Sequence, residues 1–225
     1  MNERFRDRAQ AGRMLADSLA PRYRGRDDVV VLALPRGGVP VGYEIARAIG
    51  APLDVLVVRK LGLPHQPELA MGAIATGGVQ VVHDEVAALV GSDVLEQVAT
   101  REKEELERRE RAFRGGRAPL DVGGKAVIVV DDGLATGSTM RAAIQSLHRR
   151  GVGKVVVAVP TAPPQTIRAL EDEVDELVCL MTPEPFIAIG RWYEDFAQLT
   201  DQDVQSLLAA QFDPQAIVRR FDARS

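Results

Sequence analysis

Asp131 and Asp132 stand at the abrupt end of an apolar run, Val127-Ile128-Val129-Val130, and are followed by Gly133-Leu134-Ala135-Thr136-Gly137-Ser138-Thr139-Met140. A β-branched run, paired acids, small and hydroxyl residues, then an apolar-periodic segment spell a buried strand, a tight loop and a helix N-terminus. Such a loop leaves backbone N–H groups unpaired at the positive end of a helix dipole, and Thr136, Ser138 and Thr139 add hydroxyl donors to the same concavity. It is a socket for a phosphate monoester. Phosphate alone does not account for the two acids, which would repel a bare anion. They make sense beside ligand hydroxyls or a divalent cation, so a phosphorylated sugar carried with a metal ion fits both halves. A plain surface turn would explain the apolar run but not the acids and donors after it.

A second turn has related chemistry. Pro35-Arg36-Gly37-Gly38 follows the apolar run Val29 to Leu34. Its glycines let backbone approach an anion, and Arg36 offers a planar, permanently charged fork for phosphate oxygens. The spacing is neither a dinucleotide fingerprint nor a Walker A loop. Alone, it reads as a turn for close strand-to-helix packing. Arg59-Lys60 ends a third apolar run, and two adjacent cations there call for an anion facing them, which points to the ligand edge of a sheet.

The run Val127 to Met140 resembles the phosphoribosyl-pyrophosphate (PRPP) motif of the type I phosphoribosyltransferases. The resemblance implies that Asp131 and Asp132 take the ribose 2- and 3-hydroxyls and that Ala135-Thr136-Gly137-Ser138-Thr139 cradles the 5-phosphate, with Gly133 also part of the PRPP site. Arg36, Gly37 and Gly38 look like the family's pyrophosphate loop, and Val58 to Pro64 like the opening of its flexible catalytic loop, with Arg59 and Lys60 on the leaving group. The implied activity is an enzyme of the pentosyltransferase class that moves phosphoribose from PRPP to a nitrogen acceptor, a nucleobase or related compound, with release of pyrophosphate. Asp131, Asp132, Arg36 and Lys60 would carry the catalysis. The implied cofactor is Mg²⁺, bound mainly through the ligand and in part through Asp131 and Asp132. Ala135 stands where the hypoxanthine-guanine subgroup has an aspartate, as in the adenine and uracil enzymes. Glu68 is then the nearest candidate acid or base. A regulator of the same fold that binds PRPP or a nucleotide without turnover is the alternative.

These residues need a scaffold. Phe5, Ala9, Gly12, Leu15 and Leu19 recur at helical spacing, so residues 3–20 are expected as an amphipathic helix with a solvated arginine face. Apolar runs at 29–34, 53–58, 127–130, 154–159 and 174–180, with helices at 39–49, 139–150 and 163–170 between them, describe an α/β fold: a doubly wound, mainly parallel five-stranded sheet. Residues 1–225 then form a single domain with core 29–180, a lid over 60–83, a helical insertion at 84–114 and a C-terminal hood over 181–225. Residues 61–67 are expected to be poor in regular structure, and Ala73–Thr76 with Val79–His83 to form a hairpin. In residues 84–114, one long helix or a pair broken near Gly91, the interleaved charges favour a solvated surface. A closing helix covers Asp201 to Gln211. Phe186, Trp192 and Tyr193 concentrate aromatics in the hood; by the resemblance they are candidates for holding the acceptor, and by ordinary packing they would anchor the tail.

The 225 residues are 46% hydrophobic and carry a net charge of −4, which argues against a nucleic-acid partner and leaves small-molecule substrates. No apolar stretch reaches the roughly 18 residues of a membrane span, and Met1 to Arg8 is not followed by a signal-type run, so a cytoplasmic protein without membrane contact is expected. The single cysteine, Cys179, suits a buried structural thiol, and His65, His83 and His148 show no metal-ligand spacing. The resemblance implies a homodimer.

Overall fold

The structure, a computed structural model, describes residues 4–63, 66–82, 86 and 91–211, with residues 66–69 described by backbone alone. Five wholly parallel strands form the main sheet: β1 (Val29–Ala33), β2 (Leu53–Val55), β6 (Ala126–Val130), β7 (Lys154–Thr161) and β8 (Glu176–Met181), in the order β2-β1-β6-β7-β8. The strands are continuous apolar runs because both faces are covered. Val29, Val31, Ala33, Ile128, Val130, Val156 and Ala158 point to a core shared with α1 (Arg8–Tyr23) and α2 (Gly38–Ile49). The alternate residues Val30, Leu32, Val127, Val129, Val155 and Val157 meet Met140, Ala143, Ile144 and Leu147 of α4 (Ser138–Arg149) and Ile167 and Leu170 of α5 (Pro164–Glu171). The period-2 alternation thus assigns each strand residue to one helical layer.

A second, antiparallel sheet joins β3 (Val58–Leu63), β4 (Gln66–Ala75) and β5 (Val79–Val82) in that order. The run expected as one strand over 53–58 is therefore divided: β2 ends at Val55, and Val58 already belongs to the other sheet. Residues 61–67, expected to lack regular structure, hold the end of β3 and the start of β4, while Pro64 and His65 lie outside the described residues. Cross-strand pairing, Val58 with Ala75 through Leu61 with Gly72, overrides the glycine and proline punctuation. The hairpin after Ala73 is the far part of this sheet, with His83 outside the described residues.

Helix α3 (Ser92–Arg114) begins after Gly91. Its exposed side carries Glu105–Arg108 and Glu105–Arg109 pairs, as the interleaved charges suggested. The other side is not solvated: Leu106, Phe113 and Arg114 are buried, and the Arg114 Nε donates to Asp54 Oδ1 at 2.8 Å. The first helix runs from Arg8, capped by Asp7, whose side chain accepts from the Gln10 N–H, rather than over 3–20. Phe5 bridges instead to Tyr193. The chain closes with a 3₁₀ turn (Ile189–Trp192) and α6 (Asp201–Ala210), where Thr200 and Asp203 form a capping box. Among the described residues no helix is long and apolar enough to cross a membrane.

Cys179 lies in β8 with its Sγ 3.2 Å from the Met181 carbonyl, and burial pushes its thiol up to about 11. A thiol that stays protonated at neutral pH is a poor nucleophile. Iodoacetamide at neutral pH is expected to leave Cys179 unmodified in the folded protein and to label it fully in urea, as read by intact mass; rapid labelling of the native protein would contradict a structural thiol.

Candidate functional site

Strand register places the two glycine-containing turns side by side. Ala33 and Val130 are Cα partners at the carboxyl ends of β1 and β6, and the Leu34 N–H donates to the Val130 carbonyl at 2.8 Å. The turn at residues 35–38 and the loop at residues 131–137 therefore leave the sheet from neighbouring positions. Their contact is close: a Cβ on Gly37 would fall 2.1 Å from Asp132 Oδ2, and one on Gly38 would fall 2.5 Å from the Val130 carbonyl oxygen and 2.9 Å from the Asp131 Cα. Only glycine lets the two turns meet at this distance.

The acidic pair is in an unusual state. The Asp132 N–H donates to Asp131 Oδ1 at 2.8 Å, and Asp132 is 8% exposed. Burial first, and then the neighbouring Asp132 charge, hold the Asp131 carboxyl well above the ordinary range. Burial also raises Asp132, against the opposing pull of Arg8. Such a pair gains from ligand hydroxyl donors or from a cation. Among the described residues no group of three or more His, Cys, Asp or Glu could hold a metal ion by itself. Two carboxylates fit a cation that draws its other ligands from a bound molecule.

The donor loop follows. Gly137, at φ +73°, caps α4, and the N–H groups of Ala135, Thr136 and Gly137 donate to no backbone acceptor among the described residues. Thr136, Ser138 and Thr139 are exposed. The Thr166 hydroxyl of α5 donates to the Ala135 carbonyl at 2.6 Å, which ties the loop to α5. Gly133 is pressed under Ile189: its Cβ would meet Cγ2 of that residue at 2.7 Å.

The Arg59-Lys60 dipeptide is placed otherwise than expected. It lies in β3, outside the parallel sheet, and the anion facing Arg59 belongs to the chain itself: its Nη2 and Nε reach Glu102 Oε2 of α3 at 2.6 and 2.9 Å. Lys60 is exposed, and its side chain makes no hydrogen bond or ion pair among the described residues. Arg36 is directed to the hood, donating to the Leu199 carbonyl and lying 3.3 Å from Asp201 Oδ1. The structure thus brings Gly37 and Gly38 against Asp131 and Asp132, turns the Arg36 side chain to the hood and pairs Arg59 with Glu102. The Glu68 side chain lies outside the described residues.

In the hood, Phe186 and Trp192 stack with ring centroids 6.4 Å apart. Tyr193 is 3% exposed; it packs between Phe5 and Phe196 and its hydroxyl donates to the Asp132 carbonyl at 2.6 Å. Sequence reasoning missed Arg8. Read as part of a solvated face, it donates through Nε to Asp132 Oδ2 at 2.7 Å, with the two side chains only 12% and 11% exposed. Removing one partner of such a buried pair costs about 3–5 kcal/mol. Nothing in the local pattern marks Arg8 out from Arg4, Arg6 or Arg13; the signal is entirely tertiary.

The phosphoribosyl transferase domain model matches residues 7–190. The chain belongs to that family. A Mycobacterium tuberculosis (H37Rv) protein named for the same family is 48% identical over 206 residues, which are 91% of this chain and 46% of the relative. The chain thus spans about half the length of the curated relatives it matches most extensively. A uracil phosphoribosyltransferase of Lactobacillus delbrueckii subsp. bulgaricus is 33% identical over 137 residues, 58% of this chain and 63% of the relative. Among solved structures, TT1426 from Thermus thermophilus is 43% identical with a TM-score of 0.82, covering 91% of this chain and 97% of that one. The five-stranded parallel sheet flanked by helices is the type I phosphoribosyltransferase fold.

Proposed function

We propose that this chain is a phosphoribosyltransferase that displaces pyrophosphate from the anomeric carbon of PRPP with a nitrogen nucleophile, a nucleobase or related compound. The observation that carries the reading is the contact between the Gly37-Gly38 turn and the Asp131-Asp132 pair, which puts side by side the two loops that this reading assigns to pyrophosphate and to the ribose phosphate. In this reading the N–H groups of residues 135–137 and the exposed hydroxyls of Thr136, Ser138 and Thr139, the first two of which bond each other in the free protein, hold the 5-phosphate at the N-terminus of α4. Asp131 and Asp132 accept from the ribose hydroxyls and support the positive, oxocarbenium-like ring, and Arg36 leaves Asp201 to meet the departing pyrophosphate. Mg²⁺ would be held by ligand oxygens beside Asp131 and Asp132, where it would neutralise phosphate charge. The β3–β5 sheet, as the lid over residues 60–83, would exclude water that could hydrolyse the donor.

The acceptor is proposed to lie under the hood, beside Phe186 and Trp192. The relative named as a uracil phosphoribosyltransferase and Ala135 in place of an aspartate support a base acceptor handled without that acid. The family resemblance supports extending the proposal to a cytoplasmic homodimer. One observation favours the regulator instead: Arg59 is already neutralised by Glu102, which leaves Lys60 as the uncommitted cation of that dipeptide.

Two measurements test the reading. Pyrophosphate release from PRPP and Mg²⁺ is to be followed with purine, pyrimidine and amine acceptors in turn. Release dependent on one acceptor establishes the transferase, while tight PRPP binding without release for any acceptor favours the regulator. In the transferase, Lys60→Ala is expected to slow turnover by about 10–100-fold with PRPP affinity within a few fold, since a group that meets the leaving charge acts chiefly in the transition state. Unchanged kcat would remove Lys60 from that role.

A further inference from the structure

Arg8 opens α1 and lies 124 positions from Asp132 in the chain. Three contacts hold its guanidinium in one place. Nε donates to Asp132 Oδ2 at 2.7 Å, Nη1 donates to the Ala197 carbonyl at 2.9 Å, and the group lies over the Phe196 ring, 3.8 Å from its centroid. The carboxylate it meets is the one on which Gly37 packs, and the backbone carbonyl of the same aspartate accepts from Tyr193. One acid is thus held from α1, from the hood and from the glycine turn.

The arrangement answers a question that the motif raises, namely how two adjacent carboxylates persist beside loops built for phosphate. A bare pair would repel both the donor and each other. A buried arginine compensates one charge and, with Nη1 pinned on the Ala197 carbonyl, holds Asp132 Oδ2 through Nε from a fixed side. Resting on the donor-site reading above, we infer that Arg8 is a positioning residue for binding of the phosphoribosyl donor: it compensates and orients Asp132 against the glycine turn, so that the acidic pair meets the ribose hydroxyls already placed. Its contact with the pair is through Asp132 alone, so its contribution is preorganisation.

The test is calorimetry with PRPP and Mg²⁺ on Arg8→Gln, Arg8→Lys, Asp132→Asn and the double variant Arg8→Gln with Asp132→Asn, with folding checked by circular dichroism. Arg8→Gln is expected to weaken PRPP binding at least ~10-fold and Arg8→Lys about threefold, since lysine keeps the charge and loses the fork. The double variant is expected to be no weaker than Asp132→Asn, because Arg8 acts through that carboxylate. A merely structural arginine would lower the melting temperature without this coupling or the rescue by lysine. Binding by Arg8→Gln within about twofold of wild type, or tighter than wild type, or an undiminished effect of Arg8→Gln in the Asp132→Asn background, would each overturn the inference. Should Arg8→Gln fail to fold, Arg8→Lys decides: weakened binding at a wild-type melting temperature supports the role, and unchanged binding overturns it. Wild-type protein that binds no PRPP overturns the donor-site reading and this inference with it, whereas wild-type binding with an indifferent Arg8→Gln overturns this inference alone.

Discussion

Asp131→Asn combined with Asp132→Asn is expected to abolish PRPP binding in calorimetry. Each carboxylate would accept a charge-assisted hydrogen bond from a ribose hydroxyl, worth about 1.5–3 kcal/mol. Losing both weakens binding by about 10²–10⁴-fold, which moves a micromolar ligand to about 0.1–10 mM, where micromolar protein yields little or no binding heat. The two substitutions differ in their effect on the free protein. Asp132→Asn deprives the buried Arg8 of its partner and is expected to destabilise the fold. Asp131→Asn should do the opposite. The Asp131 carboxyl is raised well above its unfolded value of 3.8 by burial and by Asp132, so the folded state holds its proton more tightly than the unfolded chain. Its contribution to stability is full below the unfolded value and declines as pH rises through the folded one. An asparagine has no proton to lose, so Asp131→Asn is expected to raise the melting temperature at neutral pH while it weakens PRPP binding. The two readouts moving in opposite directions identify a carboxylate kept for ligand binding at the expense of stability. Retained PRPP affinity in the double variant would dismiss the donor-site assignment.

Gly38→Ala is the second large effect. The added methyl would meet the Val130 carbonyl oxygen at 2.5 Å and the Asp131 Cα at 2.9 Å, and both are backbone atoms that no rotamer change can move aside. The turn and the acidic loop must separate. Overpacking of this kind costs about 1–3 kcal/mol, or several degrees in melting temperature for a chain of this length. A shift near 1 Å between the elements that hold the two ends of the donor costs about 10²-fold in turnover. Thermal unfolding and a PRPP-dependent pyrophosphate assay on the same preparation measure both. Wild-type values for each would mean that the turn is not coupled to the acidic pair.

Residues with strong local signals are legible in the chain itself. The continuous apolar runs, the glycine stops and the acidic-to-hydroxyl transition after Val130 specify the parallel sheet, its helices and the phosphate loop, because each depends on near neighbours in the chain: a strand buried on both faces has to be apolar throughout, and a helix N-terminus facing an anion needs small residues and donors in sequence. Element ends shift by a few residues, as at β1, α4 and β8, which is the range over which fraying and caps compete.

Contacts between distant residues are decided by tertiary structure alone. The apolar run at 53–58 carries no mark at which it leaves one sheet for another; pairing of Val58 with Ala75 makes that division. Arg59 resembles a ligand-facing cation by position, and Glu102, on a helix that the charge pattern described as solvated, takes it. Arg8 resembles one surface arginine among several, and becomes part of the site only because α1 packs on α2 while the hood folds back over both, bringing Phe196 and Ala197 to its guanidinium. Local sequence determines what a segment can be, since propensity, periodicity and capping act over one or two turns. Which charge faces which depends on how helices and strands of fixed shape stack, and that information is spread over the whole chain.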